Sequence, residues 1–339
     1  MNAEIKTGVI FGGIIIAVII FLAILFIGLD ESASINQDSG IKKAPNLVGI
    51  SHYLNISSEE LTKKMDNKVI LYDIWTYSCI NCIRTLPFIT SWDEKYSDQG
   101  LLIIGIHSPE FEFEKDPQNV KIAIEKYGIT YPVVMDNNME TWKAFENNYW
   151  PRKYIADHEG NLRYDHIGEG SYQETEKVIQ QLLDERSIAL GIENISENKL
   201  VTIEEFEHTL FRTPELYFGY KFAQNRNQLG SDEGFQPERI VKYSEPNNIE
   251  LNKFYPIGNW KNHEDSMQLT EEVGSIIVSF DAKEVNIVTE NNAQLEIFLD
   301  GVALTKKYAG SDISFGNKMD VSNAGMYNII NSETSISHI

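Results

Sequence analysis

The sequence predicts an α/β domain built on a central mixed sheet, followed by an all-β sandwich and preceded by one membrane-spanning helix. Three observations carry this expectation. Apolar strand-like runs alternate with helical segments between residues 45 and 186. From about Thr213 helical periodicity nearly vanishes, and short β-like runs separated by turn residues take over. At the start of the chain, Thr7–Leu29 is an uncharged run dominated by Ile, Val, Leu and Phe.

That apolar run is long enough, at about 1.5 Å per residue, to cross a hydrocarbon layer of roughly 30 Å. Asp30 and Glu31 follow it directly with no small-residue cleavage motif, so a retained anchor is expected rather than a cleaved signal. Lys6 precedes the run. The positive-inside tendency then places the amino terminus in the cytoplasm and residues 30 onward outside, in a single-pass cell-membrane protein. Residues 30–44 are small and polar and read as a tether.

The globular part begins at residue 45. Lys68–Trp75 is a buried-strand pattern, and Cys79–Tyr96 reads as a helix interrupted by Pro87. Leu101–His107 is a second apolar strand, Asn119–Tyr127 a helix ended by Gly128, and Tyr131–Met135 a third strand. Met139–Phe145 is a short helix. Arg152–Ala156 and Leu162–Ile167 flank the turn Asp157–Asn161, and Ser171–Asp184 closes the domain at residue 186. Residues 187–212 form a linker with one helix expected in its acidic stretch. The sandwich, residues 213–339, shows β-runs at Ser275–Phe280, Glu284–Thr289 and Gln294–Leu299, with Asp300-Gly301 as a hairpin turn. Tyr327–Ile339 still reads as strand and turn, as if the sandwich were small or lacked a closing strand.

Composition bounds the function. The 339 residues are 42% hydrophobic, enough for packed cores, and carry a formal net charge of −21. Phosphate binding needs a basic face, so nucleic acid is not an expected partner, and docking on anionic lipid is disfavoured. Only two cysteines occur, Cys79 and Cys82, so the one disulfide the chain can form alone joins them. Zinc is disfavoured because there is no second cysteine pair and neither His107 nor His158 has helpful spacing. No metal or other cofactor is expected.

The redox reading has a physical basis. The apolar strand delivers Cys79 to the first turn of the next helix, where free backbone N–H groups and the helix dipole stabilise a thiolate. Cys79 is then the nucleophile. Cys82, one turn on and nearer the interior, is the resolving thiol that breaks a mixed disulfide.

The stretch Asp73-Ile-Trp-Thr-Tyr-Ser-Cys79-Ile-Asn-Cys82-Ile-Arg-Thr-Leu-Pro87 resembles the thioredoxin superfamily, in particular its extracytoplasmic TlpA-type and DipZ-type members; the latter carry a run like residues 75–87. The resemblance covers residues 43–186 and implies a thioredoxin fold and protein-disulfide oxidoreductase activity. It implies that Asp73 is the buried acid that moves a proton for the resolving cysteine, and that Trp75 packs beside the site. Trp150-Pro151 is similar to the family's cis-proline loop facing the cysteines, with Trp150 at the substrate groove. Glu110, in His107-Ser-Pro-Glu110, corresponds to a run at the active-site rim. Two positions depart from better-known members: Thr85 stands where several reductive relatives carry Glu, and the inner dipeptide is Ile80-Asn81. Reduction is the expected direction, with electrons from a membrane electron-transfer partner.

Two other classes compete. Thr76-Tyr-Ser-Cys79 satisfies the Thr-x-x-Cys of peroxiredoxins, with Arg152 as anion partner, although Tyr72 stands where their proline is expected. Alternatively the β domain is the active part, a surface binding module in which Phe254-Tyr255-Pro256, Trp260 and Tyr308 form a sugar platform. Arg212–Tyr220 is similar to the segment that joins the DipZ-type thioredoxin domain to a carbohydrate-module-like sandwich. Asn55-Ile-Ser57 and Asn194-Ile-Ser196 have the spacing of glycosylation acceptors.

Overall fold

In the computed structural model, residues 42–192, 199–206 and 213–339 are described. The expected membrane helix at residues 7–29 lies outside them. Among the described residues no helix is long and apolar enough to cross a membrane.

Two apolar strands organise the first half. β2 (Val69–Trp75) and β3 (Leu101–His107) are buried at every position and pair in parallel, Asp73 opposite Gly105. A continuous apolar run, rather than an alternating one, suits strands covered on both faces. Around them the sheet runs β1-β4-β3-β2-β5-β6. β4 (Val133–Met135) is parallel to β3. β5 (Arg152–Ala156) is antiparallel to β2, β6 (Leu162–Ile167) to β5, and β1 (His52–Leu54) to β4. β1 and the helix α1 (Ser58–Lys64), capped by Ser57 and Glu60, were not anticipated from sequence.

Each face of the sheet carries a core. Val69, Leu71, Trp75, Ile103 and Ile155 meet Leu86, Ile89 and Trp92 of α2 (Ile80–Tyr96), and Ile179 and Leu182 of α5 (Tyr172–Leu190). Ile70, Tyr72, Ile74, Ile104 and Ile106 meet Phe145 and Tyr154 on the other side. Each fully buried Leu, Ile or Phe contributes about 1.5–3 kcal/mol over its exposed state. α3 (Pro117–Lys126) and α4 (Glu140–Ala144) complete the layers.

Pro87 does not interrupt α2, which runs unbroken through it. The proline points to solvent while Leu86, Phe88, Ile89, Trp92 and Tyr96 are buried. That packing offsets the roughly 3 kcal/mol of an interior proline. α5 extends past Asp184 to Leu190 and stops at Gly191, whose φ of 64° suits a glycine C-cap. Of the expected linker, residues 187–190 belong to α5 and 199–206 are neither helix nor strand; 193–198 and 207–212, where the expected helix could fall, lie outside the described residues. Val201 and Ile203 instead pack against the first core, and Val201 N donates to the Glu176 carboxylate.

The second half is all-β apart from a short helix, α6 (Tyr220–Ala223). β7 (Ile240–Tyr243), β8 (Lys253–Asn262), β10 (Ser275–Thr289) and β15 (Gly325–His338) form one sheet, in the order β15-β10-β8-β7, with β9 (Met267–Leu269) on β8. The two runs expected at 275–280 and 284–289 are one strand, because bulges between Ala282 and Glu284 and between Val285 and Asn286 absorb the break in alternation. Gln294–Leu299 splits into β11 (Ala293–Glu296), paired with β14 (Lys318–Val321), and β12 (Phe298–Leu299). β12 turns through Asp300-Gly301, both with positive φ, into β13 (Val302–Ala303). Phe280, Leu304, Met319, Val321, Ile329 and Ile330 form the core between these layers.

Candidate redox site

Strand β2 ends at Trp75, and the loop Thr76-Tyr77-Ser78 carries the chain to Cys79, the N-cap of α2. Cys79 is half-buried, Cys82 fully buried, and both stand as free thiols. Cys79 Sγ accepts from Cys82 N at 3.4 Å, so the thiol occupies the place of a capping side chain at the helix start. Burial pushes the Cys82 thiol well up, and the neighbouring Cys79 and Asp73 add to the effect.

Asp73 lies in the middle of β2, 0% exposed. Neither of its carboxylate oxygens has a hydrogen-bond partner. Burial pushes its carboxyl up to about 6, and Lys153 draws it down. Asp73 is thus a buried acid whose charge acts on Cys82. Trp75 packs into the core edge-on to His107, ring centres 5.4 Å apart, rather than lining a surface. His107 is itself buried and burial pulls it down to about 3.

The Trp150-Pro151 bond is cis. Ile74 faces Arg152 across β2 and β5, so the loop sits at the end of the sheet where β2 runs out toward Cys79. Trp150 packs on Trp142 with centroids 4.2 Å apart and donates its indole N–H to Ser108 O at 3.0 Å. Trp150 and Cys79 pack against the same core.

Two site residues were missed from sequence. Glu114 is fully buried and its carboxylate gathers the loop before Cys79. Oε1 accepts from the Thr76 and Ser78 hydroxyls and from Ser78 N, and Oε2 accepts from Glu110 N and Phe111 N. Nothing local distinguishes an acid in a polar loop; the role exists only once the loop folds back. Lys153, 0% exposed, stands opposite Asp73 on β5 and donates to Gly168 O at 3.1 Å. Its period-two register with Ile155, a core residue, was a readable signal.

Glu110 does not stand free at a rim. Its carboxylate is largely buried, accepts from Tyr217 OH of the β domain at 3.0 Å, and is pushed up to about 7, chiefly by burial and then by Glu215. Arg84, two residues after Cys82, bridges Glu169 at 3.7 Å and Glu284 of the β domain at 3.1 Å, with Phe206 against its guanidinium.

The alternatives fare less well. Arg152 is held by Asp165 at 2.6 Å, and the Thr76 hydroxyl is committed to Glu114, so neither is set out for a peroxide. Phe254, Tyr255 and Trp260 are buried, so the expected sugar platform is core instead. Asn55 spends its amide on Ile129 O and Tyr131 O. Asn194 lies outside the described residues.

Comparison with known proteins agrees with this arrangement. The family described as Redoxin matches residues 27–183, and the family described as Thioredoxin like C-terminal domain matches residues 213–339. The chain is 34% identical over 270 residues to Protein DipZ of Mycobacterium bovis and of Mycobacterium tuberculosis, covering 79% of this chain and 38% of those proteins. It thus spans about two fifths of the length of these relatives. It is 32% identical over 143 residues to the thiol-disulfide oxidoreductase YkuV of Bacillus subtilis, covering 42% of this chain and 94% of YkuV. A solved thioredoxin-like protein in its oxidised form is 30% identical and matches 43% of this chain and 97% of its own, with a TM-score of 0.39. The chain belongs to the thioredoxin-like thiol-disulfide oxidoreductases.

Proposed function

We propose that the chain is a membrane-anchored protein that reduces disulfides of proteins outside the cytoplasm through Cys79 and Cys82, re-reduced by a membrane electron-transfer partner. The observation that carries this reading is the pair itself: a half-exposed thiol at a helix start, with its partner buried one turn on beside an ionisable acid. Cys79 attacks a substrate disulfide, forming a mixed disulfide and releasing one substrate thiolate. Cys82 then attacks Cys79 Sγ, its proton passing to Asp73, and the second substrate thiolate leaves. Trp150 and the cis-Pro151 loop form the wall against which the substrate backbone lies. Burial keeps Cys82 a protonated thiol until it attacks, so the resolving step needs a nearby proton acceptor. The anchor and the outward orientation rest on the uncharged run Thr7–Leu29 and on Lys6 before it.

The test is the reduction potential of the whole chain in detergent, by equilibration with glutathione and dithiol buffers. A value near roughly −270 mV supports a reductant, and one near roughly −120 mV makes it a disulfide donor. Absence of a reversible two-electron couple sinks the reading.

A further inference from the structure

The thioredoxin-like half and the β domain touch beside the redox loop, and one of their contacts places a phenol between two carboxyl groups. Tyr217 OH lies 3.0 Å from Glu110 Oε1 and 2.7 Å from Glu215 Oε2. Glu110 stands in the loop after β3. Its backbone N–H and that of Phe111 are held by Glu114, the carboxylate that also gathers Thr76 and Ser78 before Cys79. Tyr217 and Glu215 are fastened to the β domain. Tyr217 N donates to Gln228 Oε1, Gln228 Nε2 donates to Glu215 O, and the Phe218 ring packs on Phe254 with centroids 4.3 Å apart.

A phenol carries one proton and donates to one acceptor at a time. With both carboxyls ionised, one of them faces the Tyr217 oxygen with no proton between, and two like charges crowd one hydroxyl. A single extra proton removes both penalties. Glu215 is exposed, so its charge stays in water, whereas the Glu110 carboxyl is largely buried. The proton therefore belongs on Glu110. Glu110 then donates to Tyr217, and Tyr217 donates to Glu215.

We propose that this chain of hydrogen bonds is a clasp that closes the β domain onto the rim of the redox site while Glu110 holds a proton, and loosens when Glu110 gives it up. The charged and titratable groups around Glu110 are Glu215 and Tyr217 of the β domain, Glu114 of the neighbouring turn, and Arg226, whose guanidinium lies 4.5 Å over the Tyr217 ring. Burial, then Glu215 and Glu114, favour the protonated form; Tyr217 and Arg226 oppose them, and the balance holds the carboxyl up at about 7. Away from the β domain Glu110 returns toward the ordinary 4.5, so the closed state binds the proton more tightly than the open one. The clasp is firmest below about pH 4.5, weakens as pH rises, and is weakest above about pH 7. At tenfold per pH unit, opening becomes on the order of a hundredfold more frequent across that interval. Two residues along, Glu112 N donates to Asp265 Oδ2 of the β domain at 3.1 Å, so this amide reports whether the surfaces are closed.

Hydrogen exchange of the whole chain in detergent tests the proposal, read by mass spectrometry from about pH 4.5 to about pH 8 and corrected for the intrinsic pH dependence of amide exchange. In the unsubstituted chain, protection of residues 110–112 and 217 should fall about a hundredfold over that range. E110Q keeps a permanent donor to Tyr217, so its protection should stay level. Y217F breaks the chain of hydrogen bonds, and its protection at the acid end should drop toward the value that the unsubstituted chain shows at the alkaline end. Protection that does not change with pH, or that falls equally in E110Q, overturns the proposal, as does unaltered protection in Y217F. Should the variants not fold, the ¹³Cδ shift of Glu110 in the unsubstituted chain decides. A midpoint near about pH 7 supports the clasp, and one near the ordinary 4.5 overturns it.

Discussion

Replacing Asp73 by Asn should remove a pH-dependent cost of folding while slowing the chemistry. Asp73 is wholly buried without a hydrogen-bond donor, and its carboxyl is pushed from 3.8 up to about 6. The folded state therefore holds the proton more tightly than the unfolded chain. A raised carboxyl contributes fully below the unfolded value and loses that contribution as pH rises through the folded value, so wild type pays for the charge from about pH 4 to above pH 6. Two units at about 1.4 kcal/mol each amount to roughly 3 kcal/mol. D73N carries no such titration. The stability difference between D73N and wild type should thus grow by about 3 kcal/mol in favour of D73N between pH 4 and pH 8, whatever its offset at pH 4. Urea unfolding of both reduced proteins at pH 4, 6 and 8 measures it. A difference independent of pH would show that Asp73 is not perturbed by burial, and the proton-acceptor role would lose its physical basis.

Glu114 holds three backbone N–H groups and two hydroxyls. E114A, which strands the three N–H groups in the interior, should cost about 3–5 kcal/mol and slow Cys79 alkylation through loss of loop order. E114Q should cost only about 1 kcal/mol, because the hydroxyls can turn to accept from its amide; equal losses in chemical denaturation would refute the assignment. A Cβ on Gly105 would stand 3.0 Å from Trp75 Nε1 and 3.2 Å from both Tyr131 Cε2 and Val133 Cγ2. G105A should therefore destabilise by about 1–3 kcal/mol, and an unchanged melting temperature would mean that the core beside Asp73 yields more easily than its packing implies. R84A removes the cation shared by Glu169 and Glu284. It should speed protease cleavage within residues 199–206, while thermal unfolding of the first domain moves by no more than about 1–2 kcal/mol. Unchanged cleavage would show that the bridge does not hold the halves together.

Much of the site was legible in the sequence because its signals are local. The apolar run 69–75, short and rich in strand formers, reads as a buried strand that hands the chain to a helix opening on Cys79. The resemblance to the family's cis-proline loop marked Trp150-Pro151, and Asp300-Gly301 carried its hairpin in its composition. Other features were not local. Pro87 read as a break, yet the burial of Leu86, Phe88 and Ile89 overrides the lost hydrogen bond. Phe254 and Trp260 read as core more readily than as platform, but an aromatic on a strand has no address until the opposite layer is placed. Lys153 and Glu114 are the sharpest cases. Their neighbours stand 80 and about 36–38 residues away in the chain, brought close by strand register and loop return. A sequence shows which residues carry charge. Only the tertiary structure decides which charges are taken out of water together, because burial and pairing are properties of the assembled sheet.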